Sequence, residues 1–595
     1  MNRALSRLAH RGPDEAGIVN GDSCTFGHRR LSIIDLSASH QPMMDSTNRF
    51  TLTFNGEIYN YQELRQTLLS RWTFSTAGDT EVLLAGLVLE GLAFLDRMEG
   101  MWAFAFWDAW QKQLLLGRDR LGKKPLYYRL LPGGVACASE LPALKLLDPG
   151  PWAEDLDSTA DYLRYGYPLP GFTAYQGVRE VLPGHVLEWR PGEEVRQEPY
   201  WRLRLQTFSG NPVQARTQLR EALIKAVERR LVADVEVGAF LSGGVDSSLI
   251  AGIVRRELGQ PLKTFTIGFQ ERAFDERVYA KVAAEIFGTE HYEEVLQGWN
   301  ETELEQLIGQ HIGQPFADAS LLPTTLVSRV AAKQVKVALS GDGGDELFSG
   351  YQRYQARTLL RWYTRLPARA RGGVEWLVRC FPEPMAHHSR SLVKKAHLFL
   401  DIAARQAAET PYFAPLMFSP GQLRALAPDL VYRGHAPPGI PESTEPDDLQ
   451  RMMAADALIY LPQDILVKVD RASMAQALEA RSPFLDRDVV ELAFSLPRRW
   501  HRRGWSGKRM LYEAFGGLLP IVLWRRRKQG FGVPLHDWFR GVLGERLQGW
   551  LADGSGILAA PVVQGLLAEH GAWRRDHGYR LWLIYVYLLW RRSVA

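Results

Sequence analysis

The spacing of apolar and polar positions changes once along the chain, and the change divides it. Up to about residue 200, short runs alternate with period two. "FTLTFNGEIYN" reads as a strand running into a glycine turn, and "MWAFAFWDAWQKQLLLGRDR" as a hairpin of two strands. "TEVLLAGLVLEG" between them has helical spacing. Strand runs broken by a few helices predict an α+β domain of layered sheets over 1–200. A polar, irregular stretch follows at about 199–215. Beyond it "LREALIKAVERRLV" reads as an amphipathic helix, while "VEVGAFLSGG" and "LKTFTIGF" read as strands with a helix between them. "VKVALSGDGGDELF" repeats the strand, glycine loop and helix about a hundred residues later. That order predicts an α/β doubly wound parallel sheet over 215–595, with its sites at the C-terminal ends of the strands. From about 355 the pattern is mostly helical, with a Pro-rich interval near 434–447.

The most apolar run, "LWLIYVYLLW" at 581–590, is flanked by arginines and is half the roughly 20 residues a bilayer requires. A buried helix is expected there, and no membrane partner. A chain of 595 residues is too long for one core. Its 46% apolar and 23% charged residues are ordinary for a globular protein. A net charge of +4, without a long basic block, gives no reason to invoke nucleic acid. "WRRRK" at 524–528 reads as a solvated face. Cys24, Cys137 and Cys380 are scattered, with neither a disulfide framework nor metal-ligand spacing, so a reducing, cytoplasmic compartment is expected.

"FLSGGVDSSL" at 240–249 places Ser242, Gly243, Gly244, Val245, Asp246, Ser247 and Ser248 between a buried strand and a helix start. Glycines let several N–H groups face one anion, and the helix dipole favours negative charge there. The lysine of the common nucleotide loop is missing. Asp246 beside a phosphate site makes sense with a magnesium ion between them. A Ser/Gly turn with a helix cap is the alternative. "LSGDGGDELFSGY" at 339–351 argues against it, because Asp342 and Asp345 lie on a second loop of the same kind. On neighbouring parallel strands Asp246 and Asp345 would converge on one metal, whereas unpaired carboxylates so close together would repel.

"SGGVDSS", "TFTIGF", "LSGDGGDELFSGY" and "LVKVDRASMAQALEARSPFLD" together resemble the synthetase half of glutamine-hydrolysing asparagine synthetases, an N-type ATP pyrophosphatase. The resemblance implies ATP at Leu241, Ser242, Gly243, Gly244, Val245, Asp246, Ser247, Ile267, Ser340 and Gly341, with magnesium on Asp246 and Asp345. It also implies a lysine that stabilises charge as ammonia attacks the adenylate. "RRRKQGFGVPLHDWF" makes Lys528 that candidate, and Tyr351 and Glu479 are expected near the acceptor pocket.

"HRGPDEAG", "GHRRLSIIDLS", "FNGEIYNYQELR", "GDTEVLL" and "RDRLGKKPLYY" resemble, in order, the glutaminase half of the same enzymes, an N-terminal-nucleophile hydrolase sandwich. The resemblance places glutamine at Arg30, Leu31, Ser32, Ile33, Ile34, Asn55, Gly56, Glu57 and Asp79. Arg30 would pair with its α-carboxylate, Glu57 and Asp79 would take its α-amine, and Asn55 with the Gly56 N–H would form the oxyanion hole. The family's nucleophile is a cysteine directly after the initiator methionine, where Asn2 stands here. Cys24 and Cys137, as internal thiols, lack its built-in base. The expectation is a natural start further upstream, because the rest of the glutamine clamp is intact. A chain fed by free ammonia and a glutaminase half kept only for structure are the alternatives.

The resemblance implies an ATP- and magnesium-dependent ligase converting aspartate to asparagine through an acyl-adenylate, with glutamine or ammonia as nitrogen source and a homodimer as the default assembly. Its rivals are an amidotransferase of the same fold acting on a cell-envelope, peptide or natural-product carboxylate, an enzyme closing an internal amide, and a non-catalytic scaffold.

Overall fold

A computed structural model describes residues 1–21, 23–148, 150–269, 275–296, 301–381, 392–406, 417–441, 448–504, 506–526, 532–554 and 556–594. Strands β1 (Glu15–Asn20) and β2 (Thr25–Arg30) form an antiparallel pair. Next come β3 (Met43–Met44), β4 (Phe50–Ile58), β5 (Gly100–Asp108) and β6 (Gln113–Arg118). Strands β7 (Tyr127–Leu131), β8 (Gly134–Ala138), β9 (Val178–Glu180), β10 (His185–Trp189) and β11 (Arg196–Pro199) complete this half. They build a six-stranded sheet of order β11-β10-β6-β5-β4-β3 and a three-stranded sheet of order β8-β7-β9.

The expected hairpin is present as β5 and β6, with Trp107 facing Leu114. Strand β4 departs from expectation. It runs through "NGEI" instead of turning at the glycine, and Gly56 pairs with Trp102 on β5. A side chain there would meet the Met101 carbonyl at 2.1 Å, and φ is +151°, so the glycine serves close strand approach. Leu52, Phe54 and Ile58 pack under helices Tyr61–Leu68 and Asp79–Glu90, while Ala103, Ala105 and Trp107 form a core on the other face of the sheet. A layered α+β half is what this amounts to.

The polar stretch ends earlier than expected. Pro212 is the first residue of helix Pro212–Arg229, and Asn211 and Gln214 close a capping box around it. Strands β12 (Val237–Phe240), β13 (Lys263–Phe269), β14 (Glu290–Leu296) and β15 (Val337–Leu339) then form the parallel sheet, in the order β14-β13-β12-β15. A fifth strand, β16 (Glu479–Arg481), pairs parallel to β15 from within the segment expected to be helical.

Helix Gly578–Val594 carries the apolar run, and Leu581 through Trp590 are all buried. The Trp582 and Trp590 indoles donate to the Ala317 and Gly313 carbonyls, so the helix is a core element. Among the described residues, no helix is long and apolar enough to cross a membrane. A buried charge cluster links the β-rich half to helix Leu466–Met474. Arg11 donates two bonds to Asp470 (2.8 and 3.0 Å) and one to Glu140 (3.1 Å), and Arg471 shares both carboxylates. His10, Glu140 and His311 have ligand atoms within 4.8 Å of one another, but two guanidiniums already neutralise the Glu140 carboxylate.

Candidate active sites

The first site is a cavity of about 450 Å³ in the β-rich half. Strand β2 delivers Arg30 at its end, β4 delivers Asn55, Gly56 and Glu57, and the first turn of helix Asp79–Glu90 delivers Asp79. All five line the cavity, together with Leu31, Ile33 and Ile34. Ser32 is not on the wall; its N–H donates to Asp14 instead.

Arg30 is oriented by its Nη2, which donates to the Ile34 and Asp35 carbonyls at 2.9 and 2.7 Å. Its Nη1, the Asn55 Nδ2 and the Glu57 Oε2 are buried without a hydrogen-bond partner among the described residues. Arg30 Nη1 lies 3.6 Å from Glu15 and the Glu57 carboxylate 3.7 Å from Arg481, too far for hydrogen bonds, and buried polar atoms with unused bonding capacity on one cavity suit a ligand bearing matching groups. Burial, then the neighbouring Asp79 and Glu479 charges, push the Glu57 carboxyl well above the carboxylate range. Burial also lifts Asp79 to about 6. An ammonium arriving here would find acids that need a counter-charge.

Cys24 and Cys137 line the same cavity. Burial raises both thiols, Cys137 to about 12, so each is protonated near neutrality and a poor nucleophile. Cys380 is exposed. Titration of the native chain with an aromatic disulfide reagent at pH 7 is therefore expected to show one fast thiol, lost in Cys380→Ser, and two slow ones.

The second site is a cavity of about 1510 Å³ over the C-terminal ends of β12, β13 and β15. Leu241, Ser242, Gly244, Val245, Asp246 and Ser247 line it, and so do Ile267, Ser340 and Gly341. Gly243 is not on the wall. Its φ is +69° and its α-carbon packs on the Tyr279–Ala280 backbone, so it shapes the loop from behind. The Ser242 hydroxyl accepts from the Gly244 N–H, and Ser247 Oγ lies 3.0 Å from Ser242 Oγ. Helix Val245–Gly252 therefore starts from a loop already braced by its own serines.

Asp246 and Asp345 do converge. Lys508 Nζ sits 2.5 Å from Asp246 and 2.6 Å from Asp345, a cation that bridges the two carboxylates. Glycines make this approach possible: a side chain at Gly344 would meet the Asp246 carboxyl at 2.7 Å, and one at Gly350 the Asp345 carboxyl at 1.8 Å. Two oxygen ligands sharing one cation beside an anion loop fit a magnesium ion, and Lys508 marks the spot. Lys508 has φ +55°, uncommon for a side-chain-bearing residue, at the cap of helix Arg509–Phe515.

Tyr351 lines this cavity and donates its hydroxyl to Glu346. Burial, then the Asp345 charge, lift Glu346 to about 7. Asp342 lines it too, its Oδ2 buried without a hydrogen-bond partner among the described residues.

Two expectations are corrected. Glu479 is not on the large cavity; it faces the smaller one, paired with Lys124 (3.0 Å) and Arg481 (2.9 Å). Of the run at 524–528, read as a solvated face, the described residues Trp524, Arg525 and Arg526 line the large cavity; Arg525 is exposed, but Arg526 turns inward and binds the Ser242 carbonyl and Glu276. Lys528 lies outside the described residues. Sequence reasoning missed Lys508, whose only local signal is a lysine directly before helix Arg509–Phe515.

An open amino-acid clamp in one cavity and an anion loop with paired acids in the other define an ATP-dependent amidotransferase-ligase. Residues 218–592 match the family model for asparagine synthase, and residues 1–201 that for a glutamine amidotransferase domain. The chain belongs to the asparagine synthase family. It is 36% identical over 617 residues to a "Putative asparagine synthetase (glutamine-hydrolyzing)" of Mycobacterium bovis, covering 99% of this chain and 92% of that one. It is 31% identical over 586 residues to asparagine synthetase (glutamine-hydrolyzing) 1 of Bacillus subtilis, covering 98% and 92%. It is also 27% identical over 591 residues to the amidase chyE of Penicillium rubens, covering 92% and 86%.

Proposed function

We propose that this chain converts aspartate to asparagine, with residues 215–595 forming an aspartyl-adenylate and residues 1–200 holding glutamine, while free ammonia is the nitrogen source this chain can use. The convergence of Asp246 and Asp345 on one cation beside the serine-braced loop carries this reading. ATP lies with its phosphates on Ser242–Ser247 and with Ser340 and Gly341 against it. Asp246 and Asp345 would hold a magnesium ion, which offsets charge on the departing pyrophosphate. The acceptor carboxylate oxygen attacks the α-phosphorus and the bond to the β-phosphate oxygen breaks. Lys508 is placed to meet the phosphate oxygens as charge moves onto them. Ammonia then attacks the acyl carbon, the carbon–oxygen bond to AMP breaks, and the surplus proton passes to a cavity base. Glu346, with its proton affinity near neutrality and its bond to Tyr351, is suited to that role.

One observation favours a second reading. Tyr165, Tyr167, Tyr351, Tyr460 and Tyr579 line a cavity larger than the roughly 300–1,000 Å³ usual for a small-molecule site. That space and wall suit a bulkier carboxylate from the cell envelope, a peptide or a natural product.

Pyrophosphate release from the 595-residue chain with ATP and magnesium separates these readings. Aspartate with an ammonium salt at mildly alkaline pH is expected to give pyrophosphate and asparagine. Glutamine in its place is expected to give neither, because Cys24 and Cys137 are held protonated. Bound ATP without aspartate-dependent pyrophosphate would exclude aspartate and leave the larger acceptor.

A further inference from the structure

The two cavities are joined by one short strand. Glu479 and Arg481 are alternate residues of β16, so both side chains leave the same face, toward the glutamine cavity. Glu479 is shared between Lys124 and the Arg481 Nε. The Arg481 Nη1 is fixed by the Arg230 and Val232 carbonyls at 3.0 and 2.7 Å. Its Nη2 has no hydrogen-bond partner among the described residues and lies 3.7 Å from Glu57 Oε1. That is near enough for attraction and just too far for a bond.

The other side of the strand belongs to the ATP loop. The Arg481 carbonyl accepts from the Ser340 N–H at 2.8 Å, and Ser482 Oγ lies 2.9 Å from Ser340 Oγ. Lys123 donates to Ser482 at 2.6 Å. Lys123 and Lys124 therefore grip β16 and its exit from one loop, whose N–H groups at Leu121, Lys123 and Lys124 all donate to Asp119. Arg481 is fully buried, so a shift of its side chain cannot be absorbed by solvent.

The glutamine pocket holds three buried carboxylates, Glu57, Asp79 and Glu479, against the cations Arg481 and Lys124. A bound amino acid brings an ammonium to these carboxylates, while Arg30 on the same wall faces its carboxylate. With its ammonium present Glu57 carries full charge, and the open Nη2 closes onto it.

We infer that Arg481 is a positioning residue through which an occupied glutamine cavity and an occupied ATP loop set each other's affinity. The inference rests on the glutamine and ATP assignments proposed above. Glutamine draws Arg481 toward Glu57, fixes β16, and thereby holds Ser340 in the nucleotide-binding position. The effect is reciprocal, as linkage requires.

Isothermal titration of the full chain with L-glutamine, with and without a saturating magnesium complex of a non-hydrolysable ATP analogue, tests this. Glutamine is expected to bind about fivefold or more tightly in the presence of the analogue, with the same factor in the reverse titration. In Arg481→Met both ligands still bind and the ratio falls to one, while Arg481→Lys retains part of it. Ser482→Ala, a small change on the ATP side, also lowers the ratio and decides the matter if Arg481→Met does not fold. Two bound ligands with a wild-type ratio of one, or a ratio unchanged in the variants, would overturn the coupling alone. No glutamine binding in the wild-type chain would overturn the glutamine assignment, and the coupling with it.

Discussion

Asp345→Asn is expected to lower ATP-dependent pyrophosphate release by about two to three orders of magnitude, with little change in unfolding temperature. Asparagine keeps the shape that Gly344 and Gly350 accommodate but removes one of the two charges that meet at Lys508 Nζ. The resting fold loses little, because Lys508 keeps Asp246 at 2.5 Å. On the proposed reading the catalysed step loses much, because half of the anionic ligand set that would hold the metal is removed. A second readout follows from Glu346, raised to about 7 by burial and then by Asp345. Removing a like charge makes the carboxyl easier to ionise, so the acid limb of the residual pH–rate profile should move to lower pH. Release within tenfold of wild type would show that these carboxylates do not hold the metal.

Arg11→Ala is expected to destabilise the chain by about 3–5 kcal/mol, read as a fall in the urea midpoint. The loss follows from what remains: Asp470 and Glu140 stay buried with Arg471, His10 and the more distant Lys124 to answer them. Burial alone would raise the Glu140 carboxyl, but His10, Arg471 and Arg11 outweigh it and hold it at about 2. Asp470 is likewise driven below the carboxylate range by Arg11 and Arg471 against the cost of burial. Both folded values lie below the unfolded ones. Their stabilisation is therefore complete above about pH 5 and is lost as pH falls toward 2. The wild type should lose stability across that window more steeply than Arg11→Ala. Equal slopes would mean that Arg11 contributes no charge-dependent stability.

What the sequence disclosed depended on whether the signal was local. The loop at 240–249 was legible because strand, glycines, serines and helix start follow one another. The β5–β6 hairpin and the buried helix at 581–590 were legible for the same reason. "NG" at 55–56 misled because a glycine needed for close strand approach looks identical to one needed for a turn. Lys508 was not legible, since it meets a residue 262 positions away and belongs to no periodic pattern. Glu479 was placed at the wrong cavity because β16 has only three residues, too few to show alternation inside a helical stretch. Arg526 looked solvated because a run of like charge usually is, and only the fold brings Ser242 and Glu276 to it, while its neighbour Arg525 does stay exposed.

The pairing of β15 with β16 has a consequence for how the protein acquires its structure. Residues 337–339 find their edge partner at 479–481, across more than a hundred intervening residues. Loop closure on that scale is a late and slow event in folding, since its entropy is lost before the contacts repay it. Strands β12, β13 and β14 can assemble beforehand from nearer neighbours, whereas β15 itself joins β12 across nearly a hundred residues. The Ser340 N–H then waits for the Arg481 carbonyl. On the ribosome, the sheet edge beside the nucleotide loop is completed only after residue 481 has emerged. The loop proposed to bind nucleotide therefore gains its last backbone partner behind the sheet that supports it.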